Sequence, residues 1–337
     1  MKVLFCMRND YYRNFGEDSM QALKIKKYLN KIGVEVDVNY GQVDDYSSYD
    51  IVHLFNLKIT GEIYKYYKTA RYYKKKIVIS PLYWDQNKYY NYINDLEGIK
   101  LWDKSKVYRQ KILKGCSMVF PNSLMEEEFI RKEFGKFIQC SVINIGVDIP
   151  NDEIPLYNFK DRYNLDNYVV SVGRINKKNN QIALAEACDK LEMKLVLTGS
   201  VRDKEYLNKI TTFKNVLYLG DMDEYDRYNA YKFAKLYVNS SFAEIVPIYC
   251  LEAAVSGCNI LSTEEGSSIE YFKDIVNYCN PYCSDSILKE LEIGLKKKKD
   301  RNLKSYVIQN YSWEKSAKNL YQNYLKIKKT KGFTENP

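Results

Sequence analysis

Short apolar runs and helix-spaced apolar residues alternate along most of the chain. "KVLFCM" (2–7) is a continuous run of buried-strand type, and the polar loop "RNDYYRNFGEDS" (8–19) follows it. Ala22, Ile25, Leu29 and Ile32 then recur at helical spacing, with Asp18 or Ser19 as the expected cap and Gly33 as the stop. "VEVDV" (34–38), "IVHLF" (51–55), "KIVIS" (76–80) and "SMVFP" (117–121) read as further strands, with helical stretches between several of them. Alternation of this kind predicts a parallel sheet with helices on both faces. The pattern pauses at "VINIGVDIPNDEIP" (142–155), where Gly, Pro, Asn and Asp gather as at a domain boundary. It starts afresh with "YVVSV" (168–172), "KLVLT" (194–198), "VLYL" (216–219), "LYVN" (236–239) and "NILS" (259–262). A helix around 312–329 closes the chain, and "TKGFTENP" after it reads as a frayed tail.

The expected fold class is therefore α/β, with two doubly wound Rossmann-like domains, residues 1–150 and 151–314, facing across a cleft. In such sheets ligands bind at the carboxyl ends of the strands. With 337 residues, 45% of them hydrophobic, the chain can fill two cores of ordinary size. No apolar run approaches the ~20 residues of a membrane-spanning helix, and the N-terminus lacks the pattern of a signal peptide. The expected location is cytoplasmic, at most peripheral to a membrane.

Eight cysteines are scattered, and the single histidine, His53, is far from the one close pair, Cys279 and Cys283. Neither a zinc site nor a Cys–His pair fits those spacings, so free and mostly buried thiols are predicted. The excess of 52 basic over 43 acidic residues leaves nucleic acid, an anionic membrane surface or phosphorylated substrates open as partners. No RNP-type aromatic motif or finger spacing is present, which argues against nucleic acid. The basic, tyrosine-rich "KYYKTARYYKKK" (65–76) is either a surface for anionic lipid headgroups or a solvated helix face.

One stretch places carboxylates in unusual company. In "SSFAEIVPIYCLEAAVSGCNILS" (240–262), Glu244 and Glu252 are the only charged residues. Pro247 suits the first turn of a helix running to about Gly257, which leaves Glu244 in the preceding loop. Glu252 then lies ~7–8 Å inside, at ~1.5 Å rise per residue, on a helix with almost no polar face. A carboxylate so placed needs a hydrogen-bonding partner. A phosphate at the helix N-terminus and a diol on Glu252 would together describe a nucleotide's diphosphate and ribose. Equally, Glu252 could be tied to a buried lysine or to backbone, with Glu244 solvated. The residues alone leave both readings open.

"EIVPIYCLEAAVSG" (244–257) resembles the E-x7-E signature of family 4 glycosyltransferases, retaining enzymes of the GT-B fold. "VINIGVD" (142–148), "VSVGRINKKNNQIALAEA" (170–187), "VFPNSLMEEEFIRKEFG" (119–135) and "YSWEKSAKNLYQNY" (311–324) are similar to further segments of that family, in its order. The resemblance implies a nucleotide-diphospho-sugar donor, UDP-sugar before GDP-sugar, and no required metal or other cofactor. It implies a glycan, lipid-linked or protein acceptor, a role in surface polysaccharide or glycoconjugate synthesis, and a last helix (about 315–330) packed back on the first domain. The reaction would be front-face transfer with retention, the departing phosphate oxygen taking the acceptor's proton.

Residue by residue, the resemblance implies Arg174 on the diphosphate. An ungapped alignment puts Asn179 where the family has a lysine, and a shift of one would let Lys178 serve. Glu244 would touch the transferred sugar and Glu252 the ribose. Gly16, Gly173, Gly199, Val246, Pro247 and Ile248 would line the donor, with N–H groups of Val246 and Ile248 near sugar and phosphate. On the acceptor side, Tyr83, Trp84 and Asp85 stand where many members carry a histidine, and His53 reads as a core residue. Asp221 and Asp223 form a D-x-D that reads as a surface loop near the nucleobase. The chain lacks G-x-G-x-x-G, which disfavours a dinucleotide oxidoreductase. The rival readings are a nucleotide-sugar epimerase or phosphorylase of the same fold, a catalytically idle binding protein, and a basic nucleic-acid binder.

Overall fold

A computed structural model describes residues 1–13, 15–150 and 156–330. Part of the expected boundary (151–155), Asn14 and the tail beyond Thr330 lie outside the described residues. The chain divides into two compact units, one of Met1–Ile145 with the chain from Trp313 on, the other of Gly146–Ser312.

The first unit holds five parallel strands in the order β2-β1-β3-β4-β5. They are β1 (Lys2–Cys6), β2 (Glu35–Asn39), β3 (Ile51–Phe55), β4 (Lys76–Ser80) and β5 (Met118–Val119). β5 is shorter than its apolar run because Pro121 has no N–H to continue a ladder. Its outer edge is covered by the segment after it: Val119 N–H donates to Gln139 C=O and Ser141 N–H to Val119 C=O. The first helix, Glu17–Lys31, buries Ala22, Ile25 and Leu29, and Gly33 at φ +82° closes it as expected. Its start differs from expectation. Gly16 holds the cap position, while the Asp18 carboxylate accepts from Arg8 Nε at 2.8 Å, Arg8 Nη2 at 3.2 Å and Asn56 Nδ2 at 3.0 Å. A buried arginine at the end of β1 outcompetes the cap for that carboxylate.

His53, in the middle of β3, is fully buried. Its Nδ1 pairs with the Tyr324 hydroxyl at 2.5 Å, its Nε2 with Ser80 Oγ at 3.0 Å, and its ring stacks on Phe55. Tyr324 belongs to the helix Trp313–Lys329, whose Trp313, Leu320, Tyr324 and Ile327 are buried in the same unit. Burial pushes the His53 imidazole down to about 3. The histidine is a structural tie between sheet and last helix.

The second unit holds six parallel strands in the order β11-β10-β9-β6-β7-β8. They are β6 (Tyr168–Val172), β7 (Lys194–Thr198), β8 (Val216–Tyr218), β9 (Leu236–Val238), β10 (Ile260–Thr263) and β11 (Asn277–Cys279). The last was not expected, being three residues long and only half apolar. Within the unit the chain grows outward from β6 to one edge, then returns to β9 and grows to the other. The strand order thus reverses between β6 and β9, where loops at the carboxyl ends diverge and leave a crevice. Those are the loops that carry Arg174 and Glu244.

His53 also predicts an acid response. Below about pH 6.5 the unfolded chain takes up a proton that the folded unit excludes until about pH 3. Folding stability should fall as pH is lowered through that window, by up to about 1.4 kcal/mol per pH unit. Urea titrations of His53→Asn from pH 6.5 to pH 4 should show a fall shallower by about one proton. Equal slopes would mean that the imidazole titrates in place.

Candidate functional site

The site begins with two glycines. Gly173 follows β6 at φ +149° and Gly199 follows β7 at φ +137°, a region that favours glycine. A Cβ on Gly199 would sit 2.1 Å from the Gly173 carbonyl oxygen, so the two loops touch backbone to backbone. They are also laced together: Gly173 N–H donates to Thr198 C=O, Ile175 N–H to Ser200 C=O and Arg202 N–H to Ile175 C=O. This frame fixes Arg174. Its carbonyl accepts from Asn179 Nδ2 at 2.6 Å and Gln181 Nε2 at 2.9 Å. Asn179 therefore serves the backbone of the loop. The half-buried Arg174 guanidinium has no hydrogen-bond or ion-pair partner among the described residues. Lys178 is half-buried in the single turn Lys177–Asn179, and its carbonyl accepts from Phe242 N–H at 3.0 Å, joining this loop to the one after β9.

Glu244 lies in that second loop and is buried. Its backbone pairs with a neighbouring turn, donating to Glu265 C=O and accepting from Ser267 N–H, both at 2.8 Å. Gly266 allows the approach, since a Cβ there would meet the Glu244 carbonyl at 1.9 Å. The carboxylate accepts from Asn239 Nδ2 on one oxygen and from Val246 N–H, at 3.2 Å, on the other. Two expectations change here. The Val246 N–H is spent on Glu244, and the Ile248 N–H turns back to Val246 C=O at 2.7 Å. Neither donor is left for a ligand. The helix itself runs Ile248–Val255, with Pro247 as its cap at ψ 50° in place of the first helical residue.

Glu252 is not alone in its apolar helix. Arg227, from the helix Glu224–Phe233, donates Nε to Oε2 and Nη2 to Oε1, both at 3.0 Å. Tyr231, one turn further along the same helix, donates its hydroxyl to Oε2 at 3.3 Å. Arg227 Nη1 reaches Met222 C=O at 2.9 Å in the loop after β8. Burial works against the charge of Arg227, but the Glu252 carboxylate more than offsets it and holds the guanidinium above its usual range. The partner expected of Glu252 is therefore present in the protein as an arginine. Nothing in the local pattern marks Arg227, because the pairing spans 25 residues and two helices. A small pocket lies beside the pair, lined by Asp148, Tyr228, Tyr231 and Glu252 among others. In the D-x-D segment Asp223 caps the helix Glu224–Phe233 by accepting from Asp226 N–H at 2.8 Å.

In the first unit the acceptor-side expectation needs correction. Tyr83 is fully buried, stacked on Trp102 at 5.7 Å, with its hydroxyl donated to Glu133. Trp84 packs on Phe129 at 4.3 Å and is buried too. Only Asp85 stays half-exposed, and it accepts from Asn87 N–H at 3.0 Å. The run is apolar because it enters a core. Segment 119–135 is likewise structural in its polar residues: Glu126 accepts from Tyr83 N–H at 2.6 Å and Asn122 N–H at 2.7 Å, and Ser123 caps the helix Leu124–Phe134. All eight cysteines are free thiols. Among the described residues no group of three or more His, Cys, Asp or Glu could hold a metal ion, and no helix is long and apolar enough to cross a membrane.

Residues 158–310 match the family described as Glycosyl transferases group 1. Over the whole chain, the structure is similar to sucrose-phosphate synthase from Thermosynechococcus elongatus, with TM-score 0.80, 14% identity, and 97% of this chain and 99% of that one covered. The fold is GT-B. Anabaena Alr3699/HepE in complex with UDP and glucose is similar at TM-score 0.76 and 14% identity, covering 97% of this chain and all of that one. The apo lipopolysaccharide outer core galactosyltransferase WaaB follows at TM-score 0.63 and 14% identity, covering 96% and 99%. A search of curated protein sequences finds no match. The family match and the fold together support a GT-B glycosyltransferase. The matched segment contains the Arg174 and Glu244 loops and the Glu252 helix of this GT-B chain.

The paired glycines yield a contrast. Gly199→Ala should cost about 3 kcal/mol or more, from a backbone clash added to an unfavourable φ. Gly220→Ala, also at positive φ but with nothing within 4 Å of a new Cβ, should cost only about 1–2 kcal/mol. Urea denaturation of both variants measures the difference, and equal small losses would mean the two loops do not depend on their close approach.

Proposed function

We propose that the chain is a retaining glycosyltransferase of the family 4 type. It would move a sugar from a nucleotide-diphospho-sugar, UDP-sugar first, to a glycan, lipid-linked or protein acceptor in surface glycan or glycoconjugate synthesis. The observation that carries this reading is Arg174: a guanidinium without a partner among the described residues, held on a rigid glycine-framed loop at the strand-order switch. A leaving nucleoside diphosphate develops negative charge as the sugar departs, and a preorganised cation there stabilises it. Lys178 on the adjoining turn adds a second positive charge, and the buried Glu244 is held in place to meet hydroxyls of the transferred sugar. Gly173, Gly199 and the turn Val246–Ile248 shape the donor's surroundings.

Front-face transfer suits these residues. The acceptor hydroxyl attacks on the side from which the diphosphate leaves, and its proton passes to the departing phosphate oxygen. The sugar's bond to that oxygen breaks as the new glycosidic bond forms. This route asks for an oriented pair of reactants more than for a dedicated base. His53, neutral, buried and engaged on both ring nitrogens, leaves the base role to the phosphate. Asp85 is the one residue of the 83–85 run open enough to meet an acceptor. Exposed Lys65 and Lys68 on the helix Thr60–Tyr72 would favour peripheral contact with anionic lipid at the inner face of a membrane.

Titration calorimetry with UDP-, GDP- and dTDP-sugars tests the reading. One nucleotide should bind, and Arg174→Ala should weaken it about 10- to 150-fold, as expected for losing a charged hydrogen bond of about 1.5–3 kcal/mol. Absence of nucleotide binding, or binding indifferent to Arg174, would overturn the proposal.

A further inference from the structure

A cavity of about 380 Å³ opens in the second unit where β9, β10 and β11 begin, at the opposite end of the sheet from the loops of Arg174 and Glu244. Its volume falls in the lower part of the range of small-molecule sites, about 300–1,000 Å³. Buried Leu236, Ile260, Val276 and Leu303 give it an apolar wall. Lys297 and Lys298 complete the lining from the turn between the helices Ser284–Lys296 and Arg301–Asn310. That turn is held by buried Asn259, just before β10, which donates Nδ2 to Lys298 C=O and accepts from Asp300 N–H, both at 3.0 Å. The Lys297 ammonium donates to Asn277 Oδ1, and Asn277 Nδ2 donates to Glu290 Oε2 at 2.9 Å, so Lys297 is oriented from β11. Asp300, the acidic residue of the lining, accepts from Asn302 N–H at 2.8 Å as the cap of the helix Arg301–Asn310. The positive end of that helix therefore lies at the cavity.

The charge around this turn is uncompensated. Among the described residues none of Lys297, Lys298, Lys299, Lys160, Lys232 and Lys235 has an ion-pair partner. Lys299 donates to Lys232 C=O at 2.7 Å. Desolvation, then the charges of Lys232, Lys160 and Lys235, hold its ammonium below its usual range. Lys296, the first lysine of the run, is instead paired with Glu292.

We propose that this cavity is a binding site for a small phosphomonoester, with its phosphate on Lys297 and Lys298 and its uncharged body against Leu236, Ile260, Val276 and Leu303. Lysine ammoniums are compact point charges that suit phosphate, and two in succession favour a dianion over a monoanion. The apolar wall sets the second requirement, that the body present an apolar face. The site shares no residue with the proposed donor crevice, so it stands or falls apart from the function proposed above.

Calorimetry on the full chain tests this with phenyl phosphate as the probe, at about pH 8 where it is a dianion. Phenyl phosphate should bind saturably. Inorganic phosphate, which lacks the ring, and benzoate, which carries a single charge, should each bind about tenfold more weakly. Lys298 is exposed, so its variants should fold. Lys298→Glu should weaken phenyl phosphate about tenfold or more, and Lys298→Arg should keep it within about threefold. In Arg174→Ala, which lacks the cation proposed for the donor, this Lys298-dependent binding should persist. Loss of binding in Arg174→Ala, binding indifferent to Lys298→Glu, or equal affinity for phosphate, benzoate and phenyl phosphate would overturn the proposal. Absence of phenyl phosphate binding would overturn it too, and Lys298-dependent binding to vesicles containing phosphatidic acid would then make the lysine run a membrane surface.

Discussion

Each unit places its chemistry according to one constraint: parallel strands must be joined by crossovers that carry the chain back across the sheet. All strands then run the same way, and every loop at their carboxyl ends falls on one edge. The order reverses between β6 and β9, the place in such sheets where adjacent loops leave in opposite directions and ligands bind. Arg174 stands on one side of that reversal and Glu244 on the other, although 70 positions of chain separate them. The Gly173–Gly199 contact and the Glu244–Gly266 contact then hold the loops rigid. Without such backbone approaches, a guanidinium without a partner would collapse onto the nearest carboxylate.

Charge burial follows a consistent logic in both units. Two buried arginines are matched by carboxylates in fixed geometry: Arg8 by Asp18 in the first unit, Arg227 by Glu252 in the second. Removing one member of such a pair leaves an uncompensated charge and is costly. Arg109, fully buried, is held instead by Ser105 Oγ, Trp102 C=O and the Trp102 ring, and the half-buried Arg174 guanidinium has no hydrogen-bond or ion-pair partner among the described residues. His53 meets burial differently, by staying neutral between Tyr324 and Ser80. These arrangements separate groups that hold the fold from those free to act on a ligand.

Most strands could be read in advance because apolar runs such as "KIVIS" and "YVVSV" are continuous and bounded by turn-forming residues. β11 was hidden because three residues carry no period. Asp18 was misread as a cap since its local context allows one, and only the fold brings Arg8 within reach. Tyr83 and Trp84 were expected on the acceptor side because they stand where many members of the resembled family carry a histidine, and aromatic residues are equally at home in a core. Their packing on Trp102 and Phe129 decides between those roles, and that packing is nonlocal.

The sequence by itself determined the α/β alternation, the division into two halves, the loops that hold Arg174, Lys178 and Glu244, and the oddity of a glutamate in an apolar helix. These are local facts, set by periodicity, proline and glycine. Only the tertiary structure decided what Glu252 touches, that Asn179 holds loop backbone, and that the Val246 N–H is already taken. Each depends on groups brought together from distant parts of the chain. Hydrogen-bonding capacity is finite and is shared out only when those groups meet.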